Sequence, residues 1–204
     1  MSGPGEPRRH FGKVSNCMRR TIILLSILLL QTAIASAQDK RWMLHVGPVF
    51  GQSWLGSEDK RRGAYYGLQY AKIDPRLFAM GHEGELVIEA YYMYTIGGGF
   101  RSGRFPKNNS HHYGVSGFAR YWNRAPTQFK TFFEIGWGLQ YVNTRTHDLG
   151  GLFNTTPTLG VGMKGPFEGY ELILGIRYIH VSNGGAVGNN EGHNFFHFYV
   201  GVQF

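Results

Sequence analysis

Residues 170–204 read YELILGIRYIHVSNGGAVGNNEGHNFFHFYVGVQF. From the end backward, Phe204, Val202, Val200, Phe198 and Phe196 alternate with Gln203, Gly201, Tyr199, His197 and Phe195. Side chains two apart on a strand share a face, so the first set makes one wholly apolar face. In the segment before it, Leu172, Leu174, Ile176, Tyr178, His180 and Ser182 share one parity. An apolar strand face that ends in an imidazole and a hydroxyl points to chemistry at that surface.

The same alternation recurs upstream. Residues 42–54 group Trp42, Leu44, Val46, Pro48 and Phe50; residues 64–73 group Tyr66, Leu68 and Tyr70. Residues 83–95 set Leu86, Ile88, Ala90, Tyr92 and Tyr94 against Glu83, Glu85 and Glu89, and residues 111–122 group Tyr113, Val115, Ala119 and Tyr121. In 129–141, Phe129, Thr131, Phe133, Ile135, Trp137, Leu139 and Tyr141 oppose Lys130, Phe132, Glu134, Gly136, Gly138 and Gln140, a run long enough to cross a membrane. Residues 152–164 set Phe153, Leu159, Val161 and Met163 against Asn154, Thr156, Thr158 and Lys164.

With the last two segments this makes eight, an even number, each with one apolar face. The pattern predicts an all-β fold, an eight-stranded antiparallel transmembrane β-barrel of the outer-membrane type. Thirty glycines and 15% aromatic residues agree with many strands and turns. The polar faces then point inward and bring Glu83, Glu85, Glu89, Glu134 and Glu171 to Arg120, Lys130, Lys164 and Arg177. Eight strands enclose only enough room for side chains, so the lumen is expected to be plugged.

Links 57–62, 97–109, 145–151 and 183–193 are long, whereas those at Pro75, 123–126 and Gly165–Pro166 are tighter. Long loops outside and short turns inside would put both termini in the periplasm and His180 and Ser182 at the outer-leaflet end. A soluble calyx or β-sandwich would turn the apolar face inward. Phe204, ending an alternating aromatic strand, resembles the assembly signal of outer-membrane proteins and favours the membrane alternative.

The N-terminus carries a different signal. Arg19 and Arg20, the apolar run Ile22–Ile34 and Ala35-Ser36-Ala37 read as a secretory signal peptide over 1–37, leaving the barrel as 38–204. Met18 is a second candidate start. The apolar run is too short for a membrane-spanning helix. Cys17, the single cysteine, precedes the cleavage site, so the mature chain holds neither disulfide nor thiol nucleophile. Five of the 21 basic residues and one of the 13 acids also precede residue 38, and the formal charge of +8 falls to +4. Export, this modest charge and the lack of a recognition motif argue against a nucleic-acid partner.

Acyl transfer by a serine needs a base beside the hydroxyl, a group orienting that base, and donors aimed at the oxyanion. His180 and Ser182 lie two apart on one strand face, within reach of each other. Spacing alone is a weak signal and describes two interfacial polar residues better than a catalytic pair. Asn183, Gly184 and Gly185 follow and offer backbone N–H groups. If the last two strands form a hairpin, Asn194 faces outward near His180. Other candidates are weaker: Ser116 lacks the nucleophile-elbow spacing and points inward. His111 with His112, and His193 with His197, lack partners at a metal-ligand spacing, so no metal or cofactor is expected. Lys60, Arg61, Arg62, Arg101, Arg104, Lys107 and Arg145 fall in the predicted outer loops, where they would be solvated or meet lipopolysaccharide phosphates.

The string Ile179, His180, Val181, Ser182, Asn183, Gly184, Gly185 resembles the lipid A 3-O-deacylases called PagL, described more broadly as acyloxyacyl-hydrolase-like proteins. The resemblance is strongest over 177–204 and elsewhere rests on the signal peptide, strand number and loop order. It implies an outer-membrane esterase that removes the ester-linked 3-hydroxyacyl chain of lipid A on the barrel exterior, without cofactor. It also implies Ser182 as nucleophile, His180 as general base, and Asn183 and Gly185 as the oxyanion hole. Where the family carries an acid, this chain has Asn194, within Asn190, Glu191, Gly192, His193, Asn194. Asn194 is therefore the expected third member, with Glu191 the alternative. The expected partners are lipid A or lipopolysaccharide and outer-membrane lipids, with a homodimer left open. A phospholipase-like esterase and a non-enzymatic structural or adhesive barrel remain the competing readings.

Overall fold

The computed structural model describes residues 41–77, 82–97, 108–123, 128–188 and 190–204. The expected signal segment with Cys17 and Met18, and the loop cations Arg101, Arg104 and Lys107, lie outside the described residues. Nine stretches of strand follow one another: β1 (Trp42–Gln52), β2 (Arg62–Ile73), β3 (Glu83–Gly97), β4 (Asn108–Trp122), β5 (Lys130–Val142), β6 (Phe153–Thr155), β7 (Thr158–Phe167), β8 (Tyr170–Val181) and β9 (His193–Gln203). Each pairs antiparallel with its neighbours, and β1 with β9 closes the ring.

β6 and β7 are two pieces of one barrel strand. Leu139 opposite Thr155 and Gly136 opposite Thr158 keep one register on β5 across the gap. Pro157 causes the interruption, because it has no N–H to give the ladder; its carbonyl still accepts from His180 N at 3.0 Å. The result is a closed eight-stranded barrel.

The walls follow the period-two pattern. Outward residues such as Ile88 (66% exposed), Val161 (55%) and Trp137 (54%) form an apolar surface suited to lipid. Inward, Glu89, Glu134, Arg120 and Arg177 are buried. Arg177 donates to Glu89 at 2.7 Å and to Glu134 at 2.5 Å. Arg120 donates to Glu134 at 2.8 Å and to Gln69 at 2.8 Å. His45 bonds Glu89 at 2.9 Å, and Tyr65 and Gln69 donate to the same carboxylate. Two guanidiniums thus neutralise two carboxylates in a lumen filled by side chains, the condition under which buried charge is tolerated.

Apolar layers close the network above and below. Met43, Trp122, Phe132, Ile173 and Tyr199 pack toward the tight-turn end. Val49, Tyr65, Tyr91, Met93, Phe195 and the loop residue Leu149 pack toward the long-loop end.

Some details differ from the sequence reading. The last tight turn is Glu168–Gly169, not Gly165–Pro166; both residues have positive φ (46° and 85°), the geometry of a two-residue hairpin turn. Phe204 is buried, because the chain end pairs back on Trp42 at 2.8 and 3.0 Å. Arg61 is also buried and cannot meet a phosphate; it donates to Asp59 at 2.7 Å, Thr95 at 3.0 Å, Asn108 at 2.8 Å and Ser110 at 2.9 Å. His197 and His193 are lumen residues, and His197 stacks on Tyr65.

Candidate active site

β8 carries Tyr178 and His180 outward at its long-loop end, Ser182 follows just past it in a bridge with Thr155, and the β8–β9 register sets His180 opposite Asn194. His180 Nδ1 lies 2.7 Å from Asn194 Oδ1. That oxygen also accepts from Tyr178 Oη at 2.6 Å, while Asn194 Nδ2 donates to the Trp54 carbonyl at 2.5 Å. The bond to Trp54 fixes which end of the amide is oxygen. His180 therefore donates from Nδ1, and Nε2 is the nitrogen left to act as a base.

Although it points outward, Asn194 is only 1% exposed. Trp54 crosses Phe196 edge-on at 5.3 Å and tilts against Tyr178 at 6.2 Å, and this aromatic collar encloses the amide. Exclusion of water strengthens the bonds inside. Gly192, with φ of +74°, sits against the imidazole, where a Cβ would lie 2.9 Å from His180 Cε1 and 3.5 Å from Nε2. Only glycine serves there, for its left-handed backbone and for its lack of a side chain.

Ser182 is held differently. Its backbone pairs with Thr155, at 2.7 Å from Thr155 N and 3.1 Å to Thr155 O. Its Oγ meets both ends of the Asn190 carboxamide, Oδ1 at 3.1 Å and Nδ2 at 3.0 Å, and accepts from Gly184 N at 3.1 Å. No hydrogen bond joins Ser182 to His180 directly. Of the two expected oxyanion donors, Asn183 N is occupied by Asn190 Oδ1 at 2.8 Å and Gly185 N by Asn183 Oδ1 at 2.9 Å. The structure thus brings His180 and Asn194 into contact beside Ser182, with both donors engaged inside the loop.

Glu191, the alternative third member, lies elsewhere: its neighbours are Gly56, His147 and Asp148, and it makes no bond to His180. Three of the groups bonded to Ser182 or Asn194 were not singled out by the sequence reading. Tyr178 was visible as an outward neighbour of His180 on the same face, but Asn190 and the Trp54 carbonyl arrive through loop conformations that no periodicity encodes.

A family model described as Lipid A 3-O-deacylase (PagL) matches residues 38–203. Among solved structures, the outer membrane enzyme PagL aligns with a TM-score of 0.59 and 20% identity, over 78% of this chain and 99% of that one. Neisserial surface protein A aligns with a TM-score of 0.50 and 17% identity, over 81% of this chain and 96% of that one. No curated protein sequence matches. Identities this low speak for the barrel fold. The apolar exterior, the fold and the family together place the protein in the bacterial outer membrane. Because the family match runs across the whole barrel, including the loop that carries Ser182, the chain belongs to the lipid A 3-O-deacylase (PagL) family.

Proposed function

We propose that this chain hydrolyses the ester-linked 3-hydroxyacyl chain of lipid A by serine chemistry on the lipid-facing wall of the barrel, at the outer leaflet. The observation that carries this reading is the outward His180–Asn194 pair at 2.7 Å, two residues along the strand from Ser182. A nucleophile on that wall meets a membrane lipid without drawing it into water.

The chemistry follows from the groups present. As substrate enters, its ester carbonyl takes the place of the Asn190 carboxamide and releases Asn183 N–H, and the Asn183 side chain turns away to release Gly185 N–H. His180 Nε2 accepts the Ser182 proton while Oγ attacks the carbonyl carbon. Negative charge on the carbonyl oxygen is met by the N–H groups of Asn183 and Gly185. Collapse expels the 3-hydroxyl of the glucosamine, which takes its proton from the imidazolium. Water then hydrolyses the acyl-enzyme by the reverse proton path and releases a 3-hydroxy fatty acid. Asn194 holds the Nδ1–H tautomer throughout, as an amide does in Cys-His-Asn proteases; it contributes orientation without a negative charge.

Mass spectrometry of lipid A from cells making the protein tests the reading. Loss of one 3-hydroxyacyl chain, absent with Ser182→Ala, is the expected result. Phospholipid breakdown with intact lipid A would reassign the substrate, and no change in either lipid would leave a non-enzymatic barrel.

A further inference from the structure

The loop between β5 and β6 turns at Thr146–Leu149, closed by backbone bonds of 3.1 and 3.4 Å between those two residues. Leu149 plugs the top of the lumen, so the turn presents His147 and Asp148 at its tip. Asp148 is fully buried, at 0% exposed. Its Oδ2 accepts from Ser57 Oγ at 3.0 Å, Glu58 N at 2.9 Å and Asp59 N at 2.7 Å, and lies 3.8 Å from His193 Nδ1. Its Oδ1 has no hydrogen-bond partner among the described residues.

The β8–β9 loop supplies the other half. Gly192 N donates to the Asp148 carbonyl at 2.8 Å and so delivers Glu191 to the same place. Glu191 Oε2 is likewise buried without a partner. One ligand atom each from His147, Asp148 and Glu191 lies within 4.8 Å of the others. Two buried carboxylate oxygens with no donor are costly, and two carboxylates this close repel each other. Arg61 has a field that reaches Asp148, but its own donors go to Asp59, Thr95, Asn108 and Ser110. A cation between the loops resolves both problems.

We propose that His147, Asp148 and Glu191 bind a divalent cation of the zinc type. An imidazole with two carboxylates suits an ion that takes mixed nitrogen and oxygen donors; calcium and magnesium favour oxygen alone. The cation cross-links the two loops. Glu191 stands between Asn190, the partner of Ser182, and Gly192, which abuts His180, so the cation stiffens the stretch that borders both. None of the three ligands bonds to Ser182, His180 or Asn194, and the site stands independently of the esterase reading.

The tag-free barrel, stripped with chelator in detergent, is titrated calorimetrically with Zn²⁺. One ion per chain is expected, with affinity falling at least about tenfold in both His147→Ala and Glu191→Gln. Both variants are first checked for heat-modifiable migration. Asp148→Asn is avoided, because Oδ2 also holds residues 57–59. Amide hydrogen exchange over 183–194 is expected to slow when Zn²⁺ is added to the parent and to stay unchanged in Glu191→Gln. No Zn²⁺ binding, or binding equally tight in both variants, overturns the site. Displacement of Zn²⁺ by an equal concentration of Ca²⁺ overturns the choice of ion. Lipid A hydrolysis is not a readout, so failure here leaves the esterase reading standing, and the reverse holds too.

Discussion

Arg177 and His180 are three residues apart on β8 and face opposite sides of the barrel wall. Inside, Arg177 is fully buried between Glu89 and Glu134, and the network it joins runs on full charges. Outside, His180 bonds to a neutral amide, which bonds in turn to a phenol and a peptide carbonyl. The difference teaches how one strand divides its work. A lumen packed with side chains tolerates charge where each charge meets its opposite. On a lipid-facing wall a permanent charge is unfavourable, increasingly so with depth. A neutral Asn194 suits that wall as the proposed third member, and Trp54, Tyr178 and Phe196 enclose it.

The division is open to attack by substitution on either face. The largest effect is expected outside: Ser182→Ala and His180→Ala each lower lipid A hydrolysis by about four orders of magnitude or more. Both leave the unfolding free energy of the vesicle-inserted barrel, measured in urea, within about 0.5 kcal/mol of the parent. Loss of stability in either would make the pair structural. On the inner face, Arg177→Met takes the guanidinium from Glu89 and leaves Glu134 with Arg120 alone, and is expected to destabilise by about 3–5 kcal/mol, with turnover per folded molecule preserved. A variant that unfolds normally but hydrolyses nothing would erase the distinction between the walls.

Asn194 sharpens the comparison further. Asn194→Ala is expected to lower turnover by about a hundredfold, and Glu191→Ala by less. Asn194→Asp should also lose activity, because a carboxylate oxygen cannot donate to the Trp54 carbonyl 2.5 Å away. A faster Asp variant would mean that charge, not orientation, is what the site lacks. The smallest effect belongs to Tyr178→Phe, which removes one hydrogen bond to Asn194. About 1 kcal/mol, or roughly fivefold in kcat/KM, is expected from steady-state kinetics on lipid A in mixed micelles.

The walls were readable from the sequence because strand geometry has a period of two and a slip of one residue would turn every side chain over. That is why Glu134 beside Ile135, and Arg177 beside Ile176, already sorted into lumen and lipid faces. It is also why Asn194 could be placed beside His180 from parity and hairpin pairing. Loops follow no such rule. Gly184, Gly185, Gly188 and Gly192 all adopt positive φ, and the path they set brings Asn190 onto Ser182. Arg61 looked like a surface charge because its partners, Asp59, Thr95, Asn108 and Ser110, come from three separate parts of the chain. Pro157 interrupts the sixth barrel strand without shifting its register, an effect visible only once both neighbouring strands are in place.

The filled lumen has an electrical consequence. An ion crossing this barrel would have to pass the Arg120–Glu134–Arg177–Glu89 cluster and the aromatic layers on both sides of it. The expected outcome in a planar bilayer is the absence of channel steps.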